Sequence, residues 1–299
     1  MDIGICADGV TKRFGSILGL RGATIHARRG ISVVIGPNGA GKSTLLRCIG
    51  GLYRPEAGTV RVFGRNPYSD DEARKMVSLL SDNYALYDRL TVRKNLVFFG
   101  RLYGNSDADT METARGILKE LGAYGFIDKI AGELSRGTKQ KVAICRSLLG
   151  KPDAFLLDEP TAFLDAVSAQ SVQTMLEDLA SQGKTILYAT QRLNEAVKMG
   201  SAIFIMKNGR VSGRLDHAGL YADALRGARV DIKLAGGIDA KFAARIPHCT
   251  GIRGSSISIR IRNYKDINES VEWLIGNGAY VVGVDYAEPL VEKMLGDGR

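Results

Sequence analysis

The stretch IGPNGAGKST, Ile35 to Thr44, decides how the rest of the chain is read. It fits the spacing G-x-x-x-x-G-K-[ST] of a phosphate-binding loop. An apolar, β-branched run, ISVVIG (Ile31 to Gly36), leads into it, and STLLRCIGGL, with apolar residues at helical spacing, leads out. Strand, glycine-rich loop and helix in that order are what the chemistry needs. Gly36, Gly39 and Gly41 let the main chain bend so that its N–H groups point at one centre. The following helix adds the positive end of its dipole. The expected phosphate contacts are therefore Gly36, Asn38, Gly39, Ala40, Gly41, Lys42, Ser43 and Thr44. Lys42 can reach β- and γ-phosphates, and the Ser43 hydroxyl can ligate Mg²⁺.

Working outward, 299 residues leave room for one or two domains and a sizeable core. With 45% apolar and 24% charged residues, the composition is that of a soluble globular protein. No apolar run approaches the roughly 20 residues of a membrane span. The start, MDIGICADGVTKRFG, lacks a basic segment followed by an apolar block, so no signal peptide is expected. Cys6, Cys48, Cys145 and Cys249 lie far apart without a CxxC pair. That spacing argues against a disulfide framework or a zinc site and fits a reducing compartment. The formal charge of +9 is scattered rather than gathered into a run. It is the mark of a solvated basic surface, with nucleic acid, anionic lipid or an acidic partner as the binding alternatives.

AFLLDEP (Ala154 to Pro160) and KTILYAT (Lys184 to Thr190) read as buried strands, and AIFIMKNGRVSG (Ala202 to Gly213) as a hairpin turning at Asn208-Gly209. Such runs predict a largely parallel sheet covered by helices, with ligands beyond the carboxyl ends of the strands. Between about Tyr84 and Lys141 the period becomes helical, in TVRKNLVFFGRLYG and METARGILKELGAYGF, which predicts an α-helical insertion. We expect an α/β domain over residues 1–215, a linker over 216–229 and an α+β unit over 230–299. In that last unit VDIKL, IDAKFAARI, TGIRG, SISIRIR, INESVEWLIGNG and YVVGVDY give the order β-α-β-β-α-β of a ferredoxin-like unit. EPLVEKML follows as a further helix.

The motifs TKRFG (Thr11 to Gly15), the phosphate loop, YALYDRLTVRKNL (Tyr84 to Leu96), LSRGT (Leu134 to Thr138), LLDEPTAFLD (Leu156 to Asp165) and TILYAT (Thr185 to Thr190) occur in that order. From about Val10 to Gly213 the chain thereby resembles the nucleotide-binding subunit of an ATP-binding cassette (ABC) transporter. LYDRLTVRKNL and RLYG most resemble the ATPases of sodium, drug and polysaccharide exporters. The resemblance implies a P-loop ABC-cassette fold with a helical signature subdomain, and ATP and Mg²⁺ as cofactors. It makes Asp158, at the end of an apolar run, a holder of the Mg²⁺ shell, and the adjacent Glu159 the residue that polarises the attacking water. Ser135 and Gly137 would start a helix and donate hydrogen bonds to the γ-phosphate of ATP held by a second cassette. Asp165 would link the two sites, and Phe14 would stack on adenine, an interaction of about 1–3 kcal/mol in nucleic-acid systems.

Five positions depart from the family pattern. Arg136 and Phe163 each stand where the family has glycine, and Lys94 where it often has glutamate. Asp82 takes the place of a glutamine that touches Mg²⁺ and water, and could ligate the metal but not donate; a one-residue shift in register would put Asn83 there instead. Gln191 takes the place of a histidine; it can donate an amide hydrogen bond but cannot titrate. With Glu159 retained, the resemblance implies hydrolysis slowed by Gln191 and Asp82. A degenerate regulatory subunit and a soluble ABC ATPase acting on nucleic acid or ribosomes remain the alternatives. The long insertions or paired cassettes of the soluble types are lacking, which makes nucleic acid an unlikely partner. The implied partners are a separate membrane permease and a second cassette, as homodimer or heterodimer, at the cytoplasmic face of a membrane.

Overall fold

The computed structural model describes residues 3–81, 83–215, 229–236, 242, 245–262 and 264–286. Contacts divide the chain into two units, Met1–Arg214 and Leu215–Arg299.

In the first unit, β1 (Ile3–Phe14) and β2 (Ile17–Arg28) form a hairpin, and β4 (Ala57–Val62) pairs with the other edge of β1, giving an antiparallel sheet of order β2-β1-β4. Its residues alternate. Ile5, Ala7, Ile25 and Ala27 are buried while Asp8 and His26 keep to the outer face, as expected of a sheet with one face solvated. A second sheet runs β5 (Val77–Leu80), β6 (Ala154–Asp158), β7 (Thr185–Thr190), β3 (Gly30–Ile35), β8 (Ala202–Lys207), β9 (Arg210–Leu215). The pairs from β5 to β8 are parallel, and every residue of β6 and β7 is buried, which is why those strands carry continuous apolar runs. β8 and β9 turn at Asn208 and Gly209, both with positive φ, the hairpin predicted from Asn-Gly.

The core lies between the sheets and α1 (Lys42–Ile49), which contributes Leu45, Leu46 and Ile49. Each such side chain stabilises the fold by roughly 1.5–3 kcal/mol. The helix ends at Ile49 with Gly50 as its cap, short of the predicted Leu52, because Gly51 turns left-handed at φ +77°. Register aligns Ile35 with Thr190 and Asp158 with Ala189, so the carboxyl ends of β3, β6 and β7 lie side by side.

Three helices form a separate cluster: α3 (Val92–Leu102), α4 (Asp107–Glu120) and α5 (Arg136–Leu148), following the short α2 (Asp71–Lys75) in the chain. Thr91 and Ser106 cap α3 and α4 by accepting from the N–H groups of Lys94 and Asp109. Leu96, Leu118, Val142 and Cys145 fill the space between them. Buried Asn95 braces the preceding loop by accepting from Tyr87 N and donating to Tyr87 O. Two helices follow in the sheet layer, α6 (Ala166–Ser181) and α7 (Leu193–Met199).

The second unit holds β10 (Arg229–Leu234), β11 (Cys249–Arg253), β12 (Ser256–Arg260), α8 (Tyr264–Gly276) and β13 (Val281–Tyr286). Its antiparallel sheet has the order β11-β12-β10-β13, that of a ferredoxin-like unit in which the first and third strands are central. The predicted helix Ile238–Ile246 falls largely, and Glu288–Leu295 wholly, outside the described residues. Among the described residues no helix is long and apolar enough to cross a membrane.

Candidate nucleotide site

The loop between β3 and α1 wraps a cavity of about 300 Å³ lined by Gly19, Asn38, Gly39, Ala40, Gly41, Lys42, Ser43, Thr44, Asp158 and Glu159. The glycines divide the work. Gly39 and Gly41 adopt φ of +78° and +104°, a region closed to most L-residues. Gly36 has an ordinary φ, but a Cβ there would sit 2.2 Å from Met206 O. Its role is close packing rather than the bend that the sequence suggests.

Lys42 opens α1, and its side chain is buried. Its ammonium donates to the carbonyls of Gly36 (2.8 Å) and Pro37 (3.2 Å) and stands 3.9 Å from Glu159 Oε1. Burial pulls its pKa down, and the charges of Glu159 and Asp158 oppose that shift. The ammonium is thus held across the floor of the cavity.

Glu159 follows the last residue of β6, and its backbone turns left-handed at φ +47°. That conformation costs of order 1–3 kcal/mol in a non-glycine residue and persists only where surroundings enforce it. Here they do. Glu159 N donates to Ala189 O at 2.9 Å, and the buried Gln140 amide on α5 donates to the carbonyls of Glu159 (3.3 Å) and Pro160 (2.8 Å). The turn swings the carboxylate into the cavity. Oε1 is buried and has no hydrogen-bond partner among the described residues, while Oε2 is 3.4 Å from the Thr190 hydroxyl. Burial raises the Glu159 pKa above the usual carboxylate range; Lys42 and the Gln191 main-chain N–H pull against that rise, and the charges of Asp158 and Glu195 add to it. A carboxylate with an orphaned oxygen and a raised pKa, facing a phosphate-sized cavity, has the properties of a general base.

Ser43, Asp158 and Glu159 line the cavity together and offer hard oxygen donors of the kind Mg²⁺ takes. The residues present therefore fit a nucleotide with its Mg²⁺. Asp82, the other predicted metal ligand, lies outside the described residues. Asn83, the alternative in that register, is exposed and accepts from Ser81 Oγ at 2.6 Å.

Phe14 stands beside the cavity rim. Its ring would lie 3.2 Å from a Cβ on Gly19, itself a lining residue; it packs edge-on against Tyr53 at 5.3 Å, and the residue is 42% exposed. Gln191 is exposed, and its main-chain N–H acts to lower the Glu159 pKa.

A buried acid that sequence reasoning missed lies behind Glu159. Glu195, on the first turn of α7, accepts from Thr161 Oγ1 (2.7 Å), Tyr188 OH (2.9 Å), Thr190 Oγ1 (3.1 Å) and Arg192 (3.0 Å). Thr190 has one hydroxyl proton for two carboxylates, and Glu195 Oε2 is the nearer. In the sequence Glu195 reads as a solvated residue of QRLNEAV; the only available cue is its place three residues after Arg192.

Ser135 and Asp165 sit apart from this cavity. Ser135 caps α5, accepting from Thr138 N at 3.2 Å. Asp165 caps α6, accepting from the main chain and hydroxyl of Ser168, both at 2.8 Å. These bonds hold its carboxyl down to about 2, with Lys141 3.6 Å away. A Cβ on Gly137 would lie 2.6 Å from Phe163 O, so the start of α5 packs tightly on the loop before α6. The two departures noted in sequence meet here: the Arg136 guanidinium lies over the Phe163 ring, 5.3 Å from its centroid.

The family model described as ABC transporter matches residues 22–162. The daunorubicin/doxorubicin resistance ATP-binding protein DrrA of Streptomyces peucetius is 34% identical over 68% of this chain and 62% of its own length. The ABC transporter ATP-binding protein NatA of Bacillus subtilis is 33% identical over 63% of this chain and 77% of its own. A sulfate/thiosulfate import ATP-binding protein, CysA of Synechococcus elongatus, is 32% identical over 70% and 61%. The chain thus spans about three-fifths of the length of two of these relatives. Among solved structures, a dimeric post-hydrolysis state of an ATP-binding cassette bound to ADP and Pi is 28% identical, with a TM-score of 0.66, over 72% of this chain and 99% of that one.

Proposed function

We propose a function on the premise that this chain belongs to the ABC transporter family as an ATP-binding cassette, a family of ATPases. It binds Mg²⁺-ATP in the cavity at the start of α1 and hydrolyses it, and hydrolysis powers a membrane exporter built with a separate permease. The observation that carries the hydrolytic reading is Glu159: a half-buried carboxylate lining the cavity, its Oε1 buried without a hydrogen-bond partner among the described residues, 3.9 Å from Lys42.

Bound Mg²⁺ would supply charge neutralisation on the transferring phosphoryl group, held by Ser43 and Asp158. The loop N–H groups from Asn38 to Thr44 orient the phosphates, and Lys42 meets their growing negative charge. Glu159 accepts the proton of the attacking water, a task for which its raised pKa suits it. The Gln191 main-chain N–H favours the charged form of Glu159, and its side chain cannot replace an imidazole as a titrating group. We read the site as working but slow.

The solved relative is a dimer, and the exposed starts of α5 and α6 suit a second cassette. Ser135 and Gly137 are assigned to the γ-phosphate of the facing nucleotide, and Asp165 to the link between sites. Export is supported by the resemblance of LYDRLTVRKNL and RLYG to exporter ATPases and by the similarity to a drug-resistance ATP-binding protein, and it goes with a position at the cytoplasmic face of a membrane. Sedimentation of Glu159→Gln with and without Mg²⁺-ATP tests the closed dimer. ATP should double the mass of this hydrolysis-deficient variant. A monomer at saturating ATP would exclude a homodimeric sandwich.

A further inference from the structure

Away from the nucleotide site, the outer face of the antiparallel sheet gathers a thiol, a carboxylate and an imidazole. Cys6 on β1 and His26 on β2 are direct register partners, and Asp8 lies two residues along β1 on the same face. Cys6 Sγ donates to Asp8 Oδ2 at 3.0 Å, His26 Nε2 is 2.6 Å from Asp8 Oδ1, and one ligand atom from each of the three lies within 4.8 Å of the others. The frame beneath them is fixed. Inward-facing Ile5, Ala7, Ile25 and Ala27 are fully or almost fully buried in the core, so the donors cannot drift apart without breaking the ladder. Spacing along the sequence hides this set, because Cys6 and His26 come from different strands.

One sulfur, one imidazole nitrogen and one carboxylate oxygen make a borderline donor set that suits Zn²⁺; Mg²⁺ and Ca²⁺ prefer oxygen alone. We propose that Cys6, Asp8 and His26 bind one Zn²⁺, with the fourth position open to solvent. The thiol loses its proton on binding, His26 binds through a neutral nitrogen, and Asp8 exchanges its two hydrogen-bond contacts for a metal bond. Arg61, the register partner of Cys6 on β4, opposes a cation by its charge; burial and the hydrogen bond to Asp8 push the Cys6 thiol up to about 11, with Arg61 pulling the other way, and Zn²⁺ displaces that proton. The other cluster of ligand types, His248, Asp266 and Glu269, is less apt, since Asp266 already accepts from the main chain and guanidinium of Arg262.

The test is calorimetric titration of the full, reduced, nucleotide-free chain with Zn²⁺, and absorbance with Co²⁺ in its place. We expect one equivalent to bind and a thiolate-to-cobalt charge-transfer band. Cys6→Ser should abolish the band, Cys6→Ser and His26→Ala should each weaken Zn²⁺ by more than about tenfold, and Glu269→Gln should change nothing. Circular dichroism checks that each variant folds, and Asp8→Asn gives a third reading of the same set. Absence of binding, a band that survives Cys6→Ser, or an affinity lost in Glu269→Gln but kept in His26→Ala would overturn the assignment.

Discussion

The floor of the nucleotide site and the exposed starts of α5 and α6, a lip that stands apart from that cavity, are built differently. On the floor, Gly36 to Thr44 with Asp158 and Glu159, the main chain does the work: two left-handed glycines, a helix start, and a left-handed glutamate locked by bonds to its own N–H and carbonyl. At the lip, the starts of α5 and α6, exposed side chains do it: Ser135 and Asp165 as caps, and Arg136 lying over Phe163. Backbone geometry leaves little room for substitution, and exposed side-chain contacts leave much. That is why the floor matches the family pattern closely while the lip carries paired departures.

The largest predicted effect is on the floor. Gly41→Ala would need φ +104° and would put a methyl 2.8 Å from Gly19 O and 2.9 Å from Met206 Cε. The backbone cost alone, of order 1–3 kcal/mol, predicts nucleotide binding weakened by about 5- to 150-fold in a fluorescent-nucleotide titration. Gly116→Ala on the exposed face of α4, where a Cβ meets nothing within 4 Å, is the matched control. It should stabilise the chain by about 0.5–1 kcal/mol. Equal tolerance of both changes would erase the distinction.

At the lip, Arg136→Ala and Phe163→Ala should each cost little, and a double-mutant cycle by urea unfolding should give a coupling of about 0.5–1 kcal/mol. A null coupling would make the two departures independent. The smallest effect sharpens the floor. Glu159 works deprotonated, so its raised pKa places the acid limb of the rate profile above the ordinary glutamate value of about 4.3. The charge of Glu195 contributes to that rise. Glu195→Gln should therefore move the limb to lower pH, whereas a merely structural loss would lower the rate without that shift. Gln191→His should add a second limb nearer neutrality.

Much of this was legible in the sequence. Wherever the backbone itself dictates residue type, as at Gly39 and Gly41 of the phosphate loop, the Asn208-Gly209 turn and the apolar runs of β6 and β7, the reading and the structure agree. Features made by tertiary contact were not legible. Nothing in QRLNEAV announces that Glu195 is buried among Thr161, Tyr188 and Thr190, and nothing in either motif tells that Arg136 and Phe163 touch. Gly36 misled because a glycine needed for close packing against Met206 looks, in sequence, like one needed for a bend. Cysteine spacing reports local metal motifs and is silent about cross-strand neighbours such as Cys6 and His26.

The central claim is that this chain hydrolyses ATP in its own cavity with Glu159 as the base. The most direct measurement is steady-state Mg²⁺-ATP turnover of the purified chain beside Glu159→Gln. The expected result is slow turnover that falls by about 10²–10⁴-fold in the variant while ATP binding is kept. Wild-type turnover no higher than that of Glu159→Gln, with ATP bound equally well, would contradict it.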